Sequence, residues 1–278
     1  MITHAALMAP PWWLALLLAG CVSIIALQFK WLTTSGALSA AIVGAAIYWL
    51  GGMYALAPLL VFFFTGSILS ILVLKTQTRS RHVQYGPRSA AQVWANGVIP
   101  VLLVGYIAII RGHVPEYQLP NIELLYLSAL AAVNADTWAT EIGMLFGGSP
   151  RSLRTWKLVA PGSSGAVTAA GIVGTIAGAI VLPASVARLW QLNAAQLALV
   201  AWAGVIGSFS DSIMGASIQA GYRSRESDEL FDAPGSSNLL QARGLRWITN
   251  DTVNLLTSLI GVLAAIILMK AAANLFGV

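Results

Sequence analysis

Asn134-Ala-Asp136-Thr137-Trp138-Ala-Thr140-Glu141 lies inside the apolar run 122–145, and its reading decides the fold. The run is long enough for one membrane crossing, which takes ~20 residues as a helix. Carboxylates at membrane depth are costly and turn toward a bundle interior or a water-filled cavity. A helix of this kind needs other membrane helices around it, and its acids mark a candidate site.

The rest of the chain supplies those helices. Its 278 residues are 58% hydrophobic and only 9% charged, whereas a soluble domain carries about 25% charged residues. Apolar segments fall near 10–29, 34–52, 54–74, 93–110, 122–145, 166–187, 195–219 and 248–273. Segments two and three are separated only by a tight Gly51-Gly52 turn. The expected fold class is an all-α polytopic transmembrane bundle of roughly seven to eight helices, one integral membrane domain over residues 1–278.

Charge sets the orientation. One group of loops holds Lys30; Lys75, Arg79, Arg81 and Arg88; Arg151, Arg154 and Lys157; and Arg223, Arg225, Arg243 and Arg246. The opposite side holds Arg111, Arg188 and Lys270. The excess of Lys and Arg places the first group in the cytoplasm, with both termini outside, as expected of an inner-membrane protein. Trp12, Trp13, Trp31, Trp49, Trp94, Trp190 and Trp247 near segment ends fit interfacial belts. Leu18-Ala19-Gly20-Cys21 has the form of a lipoprotein cleavage site. No cation precedes it and the apolar run continues to Phe29, so Cys21 reads as a small hydrophobe within a helix.

A basic, glycine-containing loop follows the acidic helix: Arg151-Ser-Leu-Arg154-Thr-Trp-Lys157, then Pro161-Gly162-Ser163-Ser164-Gly165. Arg pairs bidentately with phosphate, and glycines let a ligand approach the backbone. Pro161–Gly165 is expected to open the next apolar helix, whose N-terminal N–H groups form an anion site. The same cations also serve as topology anchors. Ala160-Pro-Gly-Ser-Ser164 recurs as Ala233-Pro-Gly-Ser-Ser237, each copy downstream of an Asp-Thr or Asp-Ser pair, which suggests a weak parallel internal repeat.

Asp136, Glu141, Asp211 and Asp251 come from three apolar segments, yet this topology brings all four to the cytoplasmic half. Asn134, Trp138 and Glu141 share one helical face, and Asp136 and Thr140 the neighbouring one. Ser208, Asp211, Ser212 and Gly215 form another stripe, as do Asn250 and Asn254 with Asp251 adjacent. Hard cations such as Mg²⁺ take oxygen ligands, often a carboxylate or two with substrate phosphates and water. Asp136, Asp211 and Asp251 are therefore metal candidates, and Glu141 is a ligand or a base. The sequence lacks a G-x-x-x-x-G-K-[ST] motif and a G-x-S-x-G motif, and His4, His82 and His113 lack metal-ligand spacing.

In order along the chain come Thr34-Ser35-Gly36-Ala37-Leu38, Arg88-Ser89, and Gln92-Val93-Trp94-Ala95-Asn96-Gly97. Then follow the Asn134–Gly143 string, Pro161–Gly165, Gly207-Ser208 with Asp211-Ser212, and Asn250-Asp251 with Asn254. This ordered set resembles the membrane family known as domain of unknown function 92, which includes the plant phytyl-phosphate kinase. Ala166 departs from a second glycine that is common in the family at that point.

The resemblance implies a kinase that converts a membrane isoprenoid monophosphate to its diphosphate, with CTP or another nucleoside triphosphate as donor. Asp136, Glu141 and Asp211 would be catalytic. Arg88, Asn96, Arg151, Arg154, Lys157, Gly162, Ser163, Ser164, Gly165, Asn250 and Asn254 would bind nucleotide or phosphate. Mg²⁺ would sit on Asp136, Asp211 and Asp251. A transporter or flippase of an anionic lipid or metabolite, and a lipid-phosphate cytidylyltransferase, are the alternative classes.

Overall fold

A computed structural model describes residues 10–76, 86–111, 113, 119–224, 230–231 and 239–276. Among the described residues there are seven helices: α1 (Trp12–Gln28), α2 (Thr34–Thr76), α3 (Ala90–Ile110), α4 (Leu119–Phe146), α5 (Ala169–Trp190), α6 (Ala194–Ser217) and α7 (Asn250–Phe276). Short strands occupy the loops: β1 (Arg151–Ser152), β2 (Ala166–Val167), β3 (Gly221–Ser224), β4 (Leu230–Phe231) and β5 (Leu239–Arg243). The helical bundle is as the sequence indicates. Among the described residues, five helices (α2, α3, α5, α6 and α7) are long and apolar enough to cross a membrane.

The expected segments 34–52 and 54–74 are the two halves of α2. The break is at Gly52, whose φ of +61° is left-handed and open to glycine at little steric cost. Polar caps mark several of the other starts. Ser89 with Gln92 and Asn193 with Gln196 form capping boxes for α3 and α6, and Thr168 caps α5. The expected long loop 220–246 contains the antiparallel sheet β4-β3-β5. The second Ala-Pro-Gly-Ser-Ser copy, at 233–237, lies outside the described residues.

α4 is the axis of the bundle, in contact with α2, α3, α5, α6 and α7. Leu124 and every residue from Tyr126 to Ala135 are buried. Lipid is as apolar as leucine, so close packing and interhelical hydrogen bonds must hold such a helix in place. Small residues permit that approach. A Cβ at Gly178 of α5 would lie 2.8 Å from Trp138 Cβ, one at Gly207 of α6 2.5 Å from Ala132 Cβ, and one at Gly261 of α7 2.8 Å from the Ser128 carbonyl oxygen. The Gly174-x-x-x-Gly178 stripe therefore packs within the protomer, against α4. Gly178→Ala is expected to cost about 1–3 kcal/mol by overpacking. Thermal unfolding in detergent measures it, and an unchanged midpoint would mean that α4 and α5 have room to separate.

The bundle has two polar ends. At one, the Tyr54 hydroxyl donates to Glu123 Oε2 (3.3 Å), Arg111 pairs with Glu123 (3.6 Å), and the Trp190 indole donates to the Tyr54 carbonyl (3.0 Å). Trp190 is thus no interfacial belt residue: it stacks on Tyr54 at 3.9 Å and is buried. Trp12, Trp13, Trp49, Trp94 and Trp247 are exposed, and Cys21 faces outward from α1. The candidate site lies at the other end.

Candidate functional site

Three polar groups gather where α2, α4, α6 and α7 meet the loop after α4. The first lies between α2 and α4. The Trp138 indole donates to Thr65 Oγ1 (3.2 Å), the Thr65 hydroxyl reaches Asn134 Oδ1 (3.3 Å), and the Asn134 amide donates to the Gly178 carbonyl (2.7 Å). One turn farther along, Ser70 donates to the buried Glu141. The face shared by Asn134, Trp138 and Glu141 is therefore turned toward α2.

Arg88 enters this group from the loop before α3. Its backbone is fixed by Thr33 N–H on the Arg88 carbonyl (3.1 Å) and Arg88 N–H on the Trp31 carbonyl (2.9 Å). Gly36 makes room, since a Cβ there would fall 2.2 Å from the Arg88 carbonyl oxygen. The guanidinium runs inward past Gly66, where a Cβ would sit 2.7 Å from Nη2, reaches Ser67 Oγ (3.5 Å) and lies over the Phe62 ring. Burial pulls its pKa below the ordinary arginine value, and the Glu141 carboxylate pushes it back up. The two segments Thr34–Leu38 and Arg88-Ser89 are thus one structural feature.

The second group lies on a different face of α4. Asp136 and Asp211 are close enough for their charges to repel, and Asp211 Oδ2 accepts from the Thr257 hydroxyl of α7 at 2.9 Å. Thr137, adjacent to Asp136, faces Gly66 beside Arg88, so the two groups flank one another around α4. Among the described residues, no three His, Cys, Asp or Glu side chains gather into a metal cluster. Asp251, in the first turn of α7, thus does not complete a carboxylate triad with Asp136 and Asp211. Asn250, Asn254 and Thr257 are spaced to share a face of α7; Asn250 is exposed and Asn254 half-buried, as is Asn96 on α3.

The third group is the loop. Arg151 pairs with Val167 and Ser152 with Ala166 across β1 and β2. This pairing overturns one expectation: Pro161–Gly165 does not open α5, because residues 166–167 are extended and Thr168 is the cap, accepting from the Gly171 N–H at 2.9 Å. The loop instead presents a turn. Gly162 and Gly165 take φ of +81° and +71°, and the Ser163 hydroxyl donates to the Ala160 carbonyl (2.8 Å). A Cβ at Gly165 would lie 2.2 Å from the backbone nitrogen of Ala216, and one at Gly215 2.9 Å from the nitrogen of Gly165. Gly215 is four residues beyond Asp211 on α6, so the turn sits about 6 Å along the helix from the carboxylate pair.

The cations of the loop are on its surface. Arg151 donates to the Trp156 carbonyl (2.9 Å), closing its own hairpin, and Arg151, Arg154 and Lys157 are exposed. Several participants had little signal in the sequence. Thr65, Ser67 and Ser70 are small hydroxyl residues in an apolar helix, where they commonly bond their own backbone, as Thr65 does to the Val61 carbonyl (2.8 Å). Thr257 could be found by extending the Asn250–Asn254 stripe one further turn. Gln219 and Arg243, which bond to Ser164, had no such pointer.

The family model described as Integral membrane protein DUF92 matches residues 17–262, and the chain belongs to that family. An uncharacterized membrane protein of Methanocaldococcus jannaschii is 29% identical over 248 residues, covering 86% of this chain and 88% of the relative. Protein PGR of Arabidopsis thaliana is 28% identical, covering 91% of this chain and 95% of the relative. Protein VTE6, chloroplastic, of the same plant is 25% identical, covering 66% of this chain and 48% of the relative. No solved structure matches the chain.

Proposed function

We propose that this member of the DUF92 family is a membrane kinase that transfers the terminal phosphoryl group of a nucleoside triphosphate, CTP first among them, to an isoprenoid monophosphate. The observation that carries the reading is the pairing of Asp136 with Asp211 inside the bundle, one helical turn from the Gly165 turn. Structural like-charge pairs have no stabilising role, since the carboxylates repel. A divalent cation held between Asp136 and Asp211 would offset that repulsion. Kinship to a family that includes the plant phytyl-phosphate kinase supports the substrate class.

The donor set fits Mg²⁺. Two carboxylates are the protein share usual for an ion that completes its shell with phosphates and water. When bound, the ion neutralises charge on the transferring group. Asp136 and Asp211 would hold it, with Asp211 oriented by Thr257. The backbone of Gly162–Gly165, with Arg151, Arg154 and Lys157, would receive the donor phosphates, and Asn96, Asn250 and Asn254 are further candidates for binding the nucleotide. An ionised oxygen of the prenyl monophosphate attacks the terminal phosphorus, the bond to the bridging oxygen breaks, and the nucleoside diphosphate leaves. Such transfer is chiefly positioning and charge stabilisation. The acceptor is already ionised near neutral pH, so Glu141 has no proton to remove and serves Arg88. The catalytic end faces the cytoplasm, where the nucleotide is, with the termini outside.

The test is to incubate purified protein with farnesyl, geranylgeranyl and phytyl monophosphates, Mg²⁺ and each nucleoside triphosphate, with products read by mass spectrometry. A prenyl diphosphate with the matching nucleoside diphosphate is expected. A CDP-lipid with pyrophosphate would make it a cytidylyltransferase, and no product from folded protein would favour transport. CTP with Mg²⁺ at 100 times its Kd should stabilise the fold by about 2.7 kcal/mol. Arg154→Ala is expected to raise the nucleotide KM about tenfold, and an unchanged KM would reduce Arg154 to a topology anchor.

A further inference from the structure

The turn at Ser164–Gly165 is gripped by two side chains from much later in the chain. Gln219, just past α6, donates through Nε2 to Ser164 Oγ at 2.7 Å. Arg243, at the end of β5, donates through Nη2 to the Ser164 carbonyl at 3.1 Å and through Nη1 to the Ala216 carbonyl at 3.5 Å. Ser164 is thus held by both its hydroxyl and its backbone, and Arg243 spans from the turn to the helix end on which the turn rests.

The grip is itself built in. Gln219 is 1% exposed, a rare burial for a side chain with four hydrogen-bonding positions. Gly244 has φ of +70°, and a Cβ there would fall 2.0 Å from the Gln219 carbonyl oxygen. A Cβ at Gly221 would meet Arg243 Cγ at 2.8 Å. Leu245 N–H donates to the Ile218 carbonyl (2.9 Å) and Ala220 N–H to the Ile248 carbonyl (2.8 Å), which ties the end of α6 to the approach to α7. These contacts leave the guanidinium and the amide little freedom to swing away.

The turn has need of such support. Two glycines give it a backbone that is entropically costly to order; its internal bonds are Ser163 N–H on the Ala160 carbonyl (3.2 Å), Ala166 N–H on the Ser163 carbonyl (3.0 Å) and the Ser163 hydroxyl, and Leu153 N–H on the Gly165 carbonyl (3.0 Å) ties its far end to the β1 hairpin. Donors aimed at phosphate stabilise transferring charge only if they are fixed in advance.

We infer that Gln219 and Arg243 are positioning residues of the donor-phosphate turn: by fixing Ser164 through hydroxyl and carbonyl, they set where the N–H groups of Gly162, Ser164 and Gly165 point. The inference rests on the kinase reading of that turn. It also moves Arg243 from the set of simple topology anchors to the site. Lysine cannot make both directed bonds, because it lacks the planar fork.

The test uses the full chain in detergent with Gln219→Leu, Arg243→Met and Arg243→Lys. Both apolar variants are expected to raise the nucleotide KM about tenfold and leave the prenyl-phosphate KM within about twofold, with Arg243→Lys intermediate. Amide exchange across 160–167 should speed up about tenfold in the same variants. Wild-type nucleotide KM with wild-type exchange overturns the inference, and so does an equal rise of both KM values with a lowered Tm, the mark of a merely structural role. If the wild type forms no prenyl diphosphate, the kinase reading falls, and binding of magnesium pyrophosphate then decides the positioning role. Weaker binding by Arg243→Met supports it. Equal binding, or none by the wild type, overturns it.

Discussion

On the kinase reading, Asp136→Asn is expected to lower prenyl diphosphate formation by at least about 100-fold, the scale on which removing one electrostatic partner of a transition state acts, and to leave the protein at least as stable as before. The two halves of that result come from one geometry. Asp136 and Asp211 repel each other within the bundle, so an uncharged isostere relieves strain in the ligand-free protein while removing half of the carboxylate pair. Stability and activity would then move in opposite directions, as they do where a site is held at the expense of the fold. Turnover in detergent and the unfolding midpoint measure the two halves. Normal turnover would remove Asp136 from the chemistry. A marked loss of stability would show that the carboxylate is a structural partner instead.

Arg88→Met is expected to lower stability by about 3–5 kcal/mol, the scale of removing one of two interacting buried charges, because the buried Glu141 loses the opposite charge near it. The double variant Arg88→Met with Glu141→Met recovers most of that loss, since two apolar side chains of similar volume can replace a buried pair at little cost. Ser70 and Ser67 lose these partners, and a helix serine can turn to the carbonyl one turn back instead. A double-mutant cycle in detergent reads the coupling. Additive losses would mean that Arg88 and Glu141 do not act as a pair. Recovery of fold without recovery of turnover would assign the pair a part in the phosphate chemistry as well.

Much of the architecture was legible along the chain. Each apolar segment corresponds to a helix or to one half of α2, and the break between halves was visible as Gly51-Gly52. Helix-spaced polar residues also told which side chains share a face: Asn134, Trp138 and Glu141 do turn together toward α2. Less legible was the loop after α4. Pro161–Gly165 looks like the start of a helix because an apolar run follows at once, yet residues 166–167 are paired in β2, and Thr168 supplies the cap.

Periodicity reports which residues of one helix lie side by side, and composition reports that the helices sit in lipid. On those terms the sequence by itself determined a polytopic bundle, the apolar segments that become its helices, and the set of acids that cannot face hydrocarbon. Only the tertiary structure decided how those acids sort. Asp136 meets Asp211, which accepts from Thr257; Glu141 meets Ser70 and the charge of Arg88, and Asp251 does not complete the set. The reason is that α4 touches five neighbours, and which neighbour each face meets depends on where glycines such as Gly178, Gly207 and Gly261 let another backbone come close. That choice is made between helices far apart in sequence, and no single segment carries it.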